Sequence, residues 1–246
     1  MTIKELDRTP STNTWAKQHA AELSHGTVVV THNQTAGRGQ RGNCWEAAPG
    51  KNLTFSLFLH PEGVSPAGQF LISEIVALAV VEAVEHALAE AVASDRIKVK
   101  WPNDIYVDDR KIAGILIEHT LTGSGIGHTI AGIGLNVNQT VFESDAPNPV
   151  SLAMLAHKEF SLPPLLSGIC SRIAGAFPVA DADAVHTEYH RRLWRADGKP
   201  HTFALPDGTR FEAIIEKVAP GGQLSLLTSP GAESRTFLFK EVAFVL

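Results

Sequence analysis

Polar and apolar residues alternate through residues 52–60, N-L-T-F-S-L-F-L-H, the period of a strand with two unlike faces. Residues 27–32 predict another strand, and 99–107, 112–119 and 129–137 supply three more. The longest apolar stretch, residues 70–92, is interrupted by Glu74, Glu82, Glu85, His86 and Glu90. That spacing predicts a buried amphipathic helix lying on the sheet and argues against a membrane span. Ser11 can cap a helix running to about Leu23, with Thr12, Asn13 and Thr14 in its first turn. Shorter helices are predicted at 151–156, 164–177 and 182–195, where Ser151 and the Leu162-Pro163-Pro164 turn offer start signals. After Trp194 the character changes. Ala196-Asp197-Gly198-Lys199-Pro200 is a turn-rich boundary, so we read 1–196 as one domain and 197–246 as a second. The second consists of short β-like runs broken by Pro206-Asp207-Gly208, Pro220-Gly221-Gly222 and Ser229-Pro230-Gly231, the pattern of a small barrel.

Composition narrows the class. A chain of 246 residues with 44% hydrophobic residues can bury one sizeable core and a small satellite. Cys44 and Cys170 have neither metal-ligand spacing nor a disulfide framework, which favours a reducing compartment. The opening M-T-I-K-E-L-D has no apolar run, so no signal peptide is read and the expected location is the cytoplasm, with no membrane partner. A formal net charge of −5 gives no electrostatic footprint for nucleic acid, and no DNA partner is expected.

Three segments carry candidate chemistry. From Gln34 to Trp45 the chain reads Q-T-A-G-R-G-Q-R-G-N-C-W, glycines interleaved with Arg38 and Arg41. Glycine lets successive amides turn inward, and arginine supplies planar donors for phosphate or carboxylate oxygens. Its spacing is that of neither a P-loop nor a dinucleotide-binding turn. From Lys100 to Glu118 the chain reads K-W-P-N-D-I-Y-V-D-D-R-K-I-A-G-I-L-I-E, a hairpin turning at Asp108-Asp109-Arg110 with Lys111 at the start of its second strand. Gly114 inside that strand suggests close approach of a ligand or another backbone. A third segment, G-I-G-L-N-V-N from Gly132, puts Asn136 and Asn138 at the end of an apolar strand.

These segments and S-T-N-T-W at Ser11 to Trp15 resemble the biotin protein ligase family, in the same order along the chain. The resemblance implies an α+β fold: a mixed, largely antiparallel sheet packed with helices, class II synthetase-like, followed by a small SH3-like β-barrel. It implies an ATP-dependent, AMP-forming enzyme that makes biotinyl-5′-adenylate and passes the biotinyl group to a lysine of a biotin carboxyl carrier domain. Biotin would be held by Ser11, Thr12, Asn13 and Gln34, by Gly37, Arg38, Gly39 and Gln40 of the loop, and by Lys111 and Gly114. ATP would meet Arg38, Arg41, Trp45, Lys100, Asn103, Lys111 and Asn136. Lys111, bridging the biotin carboxylate and the α-phosphate, and Arg38 are the expected catalytic residues. Magnesium is expected with ATP, and Asp104 is a possible ligand in the absence of any carboxylate cluster.

The chain departs from the family pattern at Gln40 and Asn43, where many members carry arginine, so the loop has two fewer positive charges. Ten residues precede Ser11, whereas regulatory members place a helix-turn-helix there; the expectation is a ligase without that repressor function. Two other readings stand beside it, a lipoate protein ligase and a non-catalytic nucleotide- or carrier-binding homologue. The resemblance allows a monomer or a weak homodimer made through exposed sheet edges.

Overall fold

The strand predicted from alternation at residues 52–60 is the third of a seven-stranded sheet. The computed structural model describes residues 1–123, 125–144, 146–228 and 233–245, so the turn predicted at Ser229-Pro230-Gly231 lies outside the described residues. In chain order come β1 (Thr2–Thr9), α1 (Thr12–Gln18), β2 (Thr27–Gln34), β3 (Leu53–Leu59) and α2 (Phe70–Leu88). Next are β4 (Ile97–Lys100), β5 (Asp104–Val107), β6 (Arg110–Thr122) and β7 (Gly125–Leu135), then α3 (Leu152–Ala156), α4 (Leu162–Ala174) and α5 (Ala182–Arg191). The last are β8 (His201–Ala204), β9 (Arg210–Val218), β10 (Leu224–Leu227), β11 (Ser234–Phe237) and β12 (Ala243–Phe244).

The first sheet runs β1-β2-β3-β7-β6-β5-β4, with β1 parallel to β2 and the other neighbours antiparallel. Side chains alternate across a strand, so each strand serves two faces. On one face Phe55, Leu57, Ala131 and Ile133 join Ile72, Val76 and Val80 of α2 in the main core. On the other, Phe58, Val29 and Ile130 form a smaller cluster with Ala16 and Leu23 around α1. The polar positions of β3 are therefore not a solvent face: Thr54 and Ser56 are both buried.

By length and composition α2 could cross a membrane, but it is a core helix here, packed against the sheet and α4. Its Glu74, 2% exposed, lies 2.7 Å from His186 Nδ1 of α5. Burial raises the Glu74 carboxyl above its ordinary value, while the histidine opposes that shift.

The sequence expectations need four corrections. β1 was not foreseen; it is an edge strand, mostly exposed, whose ladder depends on β2. The single strand at 99–107 is instead the antiparallel pair β4 and β5, turning at Trp101-Pro102-Asn103 with a cis Trp101–Pro102 peptide. Proline offers no N–H to a ladder, and a turn satisfies that. The helix from Ser11 ends at Gln18, followed by a short 3₁₀ turn at Ala20–Glu22. The helices predicted at 70–92, 164–177 and 182–195 close earlier, at Leu88, Ala174 and Arg191.

The C-terminal strands form the expected second sheet, antiparallel throughout, in the order β11-β10-β9-β8-β12. It is tied to the rest of the fold by polar contacts as well as packing. Trp101 Nε1 donates to the Gly222 carbonyl at 2.9 Å, and Arg195 Nη1 donates to that of Val245 at 2.8 Å. Gly222 has φ +87°, and a Cβ there would stand 2.6 Å from Phe70 Cδ2, so only glycine suits this contact.

Candidate active site

A cavity of roughly 510 Å³ opens over the α1 side of the large sheet and is closed on its far side by the C-terminal sheet. Among the described residues four cationic side chains line it, Arg38, Lys100, Lys111 and Lys240, and one acidic one, Asp104. Low-dielectric walls carrying mostly one sign of charge concentrate the field on an anion.

The floor is made by what three glycines lack. Gly114 and Gly134 face each other across β6 and β7, and Gly132 is the partner of Leu116. The Trp45 ring lies over the first pair: a Cβ on Gly134 would stand 2.3 Å from Trp45 Cε2, and one on Gly114 2.9 Å from Cζ3. Asn13 lies over Gly132, where an added Cβ would be 2.2 Å from Oδ1.

Lys111 reaches this face through a β-bulge. Register along β5 and β6 shifts between Ile105↔Ala113 and Tyr106↔Lys111, leaving Ile112 as the extra residue. Strict alternation would put Lys111 on the same face as Ala113, yet Ile112 and Ala113 are both buried in the main core. The extra residue flips the parity and turns Lys111 toward Asp104, whose Oδ1 is 2.7 Å from Nζ. Asn148 and Val150 hold its backbone, through Lys111 N donating at 2.8 Å and Lys111 O accepting at 2.9 Å. Asp108, at φ 54°, makes the turn between the strands, a conformation aspartate tolerates.

At the other end, α1 and β3 build a polar network. Ser11 caps α1 through Thr14 N, and Thr12 N donates to Gln34 Oε1 at 2.9 Å. Ser56 Oγ is 2.7 Å from Thr12 Oγ1 and 2.6 Å from Asn13 Oδ1. Asn13 Nδ2 donates to Leu116 O at 3.1 Å and Glu118 Oε2 at 2.8 Å, so both its protons are engaged. Toward the cavity Asn13 can therefore only accept.

The glycine–arginine loop folds back on itself. Gly39 N donates to Asn43 O at 2.6 Å and Trp45 N to Gly37 O at 3.0 Å, with Arg38 bridged to Cys44. A Cβ on Gly37 would lie 2.4 Å from Trp45 O, so this turn requires glycine. Arg38 Nη2 donates to Glu118 Oε2 at 3.0 Å.

On the side of the C-terminal sheet, Lys100 lies among aromatic rings. Its Nζ is 4.7, 5.5 and 5.6 Å from the centroids of Tyr106, Trp194 and Phe244, and 3.0 Å from Tyr106 Oη. Burial pulls its ammonium below the usual lysine value, against the opposing field of Asp104. Burial also pushes the Tyr106 phenol up to about 12, so it stays neutral.

Of the residues singled out in the sequence, Ser11, Thr12, Asn13, Gln34, Arg38, Gly39 and Gln40 line the cavity, as do Trp45, Lys100, Asn103, Lys111 and Gly114. Gly37 and Asn136 do not. Gly37 shapes the loop behind the wall, and Asn136, 3% exposed, donates from Nδ2 to Val150 O at 3.1 Å. The side chain of Arg41 lies outside the described residues. Trp45, expected to offer a face to adenine, has a face on the glycine pair. Ser56, Glu118, Lys240 and Phe244 were missed. Lone polar residues in strands, and a lysine far along the chain, carry no local motif.

Three buried side-chain polar atoms among the described residues have no hydrogen-bond partner: Gln40 Oε1, Trp45 Nε1 and Asn136 Oδ1. Gln40 and Trp45 are cavity-lining residues, and Asn136 sits behind the cavity wall, two residues past Gly134. No group of three His, Cys, Asp or Glu side chains suited to a metal occurs among the described residues.

Known proteins give the same picture. The chain is 38% identical over 151 residues to the biotin–[acetyl-CoA-carboxylase] ligase of Paracoccus denitrificans, covering 60% of this chain and 61% of that protein. It is 33% identical over 138 residues to the bifunctional ligase/repressor BirA of Escherichia coli, covering 56% of this chain and 41% of BirA. In both cases the match spans less than two thirds of the relative. The fold superposes with a TM-score of 0.78 on the biotin protein ligase of Aquifex aeolicus in complex with biotin and ATP, at 22% identity, over 98% of this chain and 97% of that one. Residues 5–136 match the biotin/lipoate A/B protein ligase family. That stretch is more than half of the chain and carries the loop, Lys111 and the glycine floor, and the chain belongs to this family.

Proposed function

We propose that this cavity condenses biotin with ATP to biotinyl-5′-adenylate and pyrophosphate, and that the biotinyl group then passes to a lysine of the carrier domain of a biotin-dependent carboxylase. The observation that carries the reading is the charge layout among the described residues: neutral hydrogen-bonding groups around Asn13, and four cations against one carboxylate in the cavity lining. It suits a ligand with a neutral polar head and an anionic tail beside a polyphosphate. The Paracoccus denitrificans relative, named as a biotin ligase, supports the choice of biotin.

In this mechanism Asn13 Oδ1 accepts an N–H of the ureido ring, since its Nδ2 protons are engaged elsewhere. The carboxylate attacks the α-phosphorus, forming one C–O–P linkage while the bond to the leaving pyrophosphate breaks. Two anions approach only when positive charge lies between them, and Lys111 supplies it. Lys100, Lys240 and Arg38 hold the phosphates. Asp104, among the described residues the one acidic side chain lining the cavity, would help to hold a magnesium ion brought by the nucleotide, and the ion would supply screening of the phosphate charge. An uncharged lysine amine of the carrier then attacks the mixed anhydride, and AMP leaves. Excluding water until that moment protects the anhydride.

The test is mass spectrometry of the protein with biotin and Mg-ATP, and with lipoate in place of biotin. We expect biotinyl-5′-adenylate only; a lipoyl adenylate would reassign the substrate, and no adenylate with either acid would overturn the reading. A second prediction concerns the C-terminal sheet. Phe244→Ala removes one ring from around Lys100, and a cation–π contact is worth about 0.5–2 kcal/mol. KM for ATP should rise roughly 2- to 30-fold with KM for biotin nearly unchanged. Equal rises in both would point to general loosening of the cavity.

A further inference from the structure

The proposed mechanism gives Glu118 no task, yet it joins Asn13 to Arg38. Its Oε2 accepts from Asn13 Nδ2 at 2.8 Å and from Arg38 Nη2 at 3.0 Å. Tracing the bonds outward, Gln34 holds Thr12, Thr12 meets Ser56, Ser56 meets Asn13, Asn13 reaches Glu118 and Glu118 reaches Arg38. Gln34 ends β2 and Arg38 lies four residues further along the loop. The polar chain therefore closes a ring whose other side is the base of the loop itself.

The geometry points to Glu118 as a positioning residue that couples the head-group end of the cavity to the pose of Arg38, so that biotin and nucleotide bind cooperatively through it. This inference rests on the ligase reading. Three observations support it. The Arg38 side chain is 46% exposed and, among the described residues, has Glu118 as its one ion-pair partner, so nothing else there fixes its direction. Glu118 engages Nη2 and leaves the other guanidinium nitrogens for ligand oxygens, which makes it a guide and not a competitor. Asn13 has both amide protons committed and accepts from Ser56, so a ligand drawing on Oδ1 acts on a side chain already bonded to Glu118. Thr12, Asn13 and Ser56 are buried, and hydrogen bonds in series polarise one another there, so a change at Asn13 is passed to the partly exposed Glu118.

The experiment is calorimetry of a non-hydrolysable ATP analogue, with and without saturating biotin. It is run on the wild-type chain, on Glu118→Gln, on Arg38→Ala and on the double variant. The isosteric amide can still accept from Asn13 but no longer forms an ion pair with Arg38. We expect biotin alone to bind Glu118→Gln within about 3-fold of wild type, a difference of roughly 0.65 kcal/mol. Biotin should tighten the analogue in wild type by about 5- to 150-fold, the usual range of coupling between sites, and by close to 1-fold in the variant. Adding Glu118→Gln to Arg38→Ala should change analogue binding no further, because the carboxylate acts through that arginine. A wild-type protein without coupling, undiminished coupling in Glu118→Gln, or an additive loss in the double variant overturns the inference. If the wild-type chain binds no biotin, the ligase reading itself has failed, and the two failures are told apart by that first titration.

Discussion

Lys111→Ala should lose adenylate formation by about 10²- to 10³-fold, the usual cost of removing one preorganised donor from a developing negative charge. Its melting temperature should hardly move. The Lys111–Asp104 pair is 29% and 23% exposed at its two side chains, and partly hydrated pairs contribute at most about 1 kcal/mol. The backbone bonds to Asn148 and Val150 survive truncation, so the bulge should stay in place. Lys111→Arg should recover little, because a planar fork does not replace a compact charge on a flexible stem. Single-turnover pyrophosphate release and calorimetric melting, measured together, decide the matter. Near wild-type release from Lys111→Ala removes it from the mechanism, and a collapse of the melting temperature would mean that the pair serves the fold.

The bulge that aims Lys111 shows how far the sequence could be read. A lysine opening a strand was visible, and so was Gly114 three residues on, but nothing local says that Ile112 is the extra residue. It is buried like its neighbour Ala113, and the parity of the strand depends on which ladder bonds form with β5. The same limit applies to β3. Its alternation was legible, but alternation cannot distinguish a wet face from one covered by α1, and Ser56 is fully buried there. β1 escaped because Ile3 and Leu6 are its only apolar side chains between Thr2 and Thr9, and its parallel pairing with β2 is set by the partner. The loop, the hairpin and the change of character after Trp194 were legible because glycine, proline and arginine state their backbone needs locally. Lys240 and Phe244 were not, since a residue more than 100 positions from Lys111 reaches the cavity only through the docking of one sheet on another.

Gly132→Ala should be more damaging than Gly114→Ala, an equally small change to the cavity floor. At Gly114 the added carbon meets the Trp45 ring at 2.9 Å, and that ring's Nε1 has no hydrogen-bond partner among the described residues to hold it. At Gly132 it would stand 2.2 Å from Asn13 Oδ1 and 2.8 Å from Cγ, and that amide is pinned by Ser56, Leu116 and Glu118. Either β7 moves away from α1 or Asn13 leaves its network; overpacking of this kind costs about 1–3 kcal/mol. Biotin affinity should fall roughly 5- to 150-fold if that cost falls on binding. The melting temperature should drop by roughly 2–4 °C for each kcal/mol that falls on the fold. The clash can be isolated in the Asn13→Ala background, where the amide that the new methyl would strike is gone. There Gly132→Ala should cost almost nothing further in stability, a strongly non-additive cycle. If the two substitutions add, the methyl is striking something other than Asn13, and the account of the head-group end as a close fit between β7 and α1 is wrong.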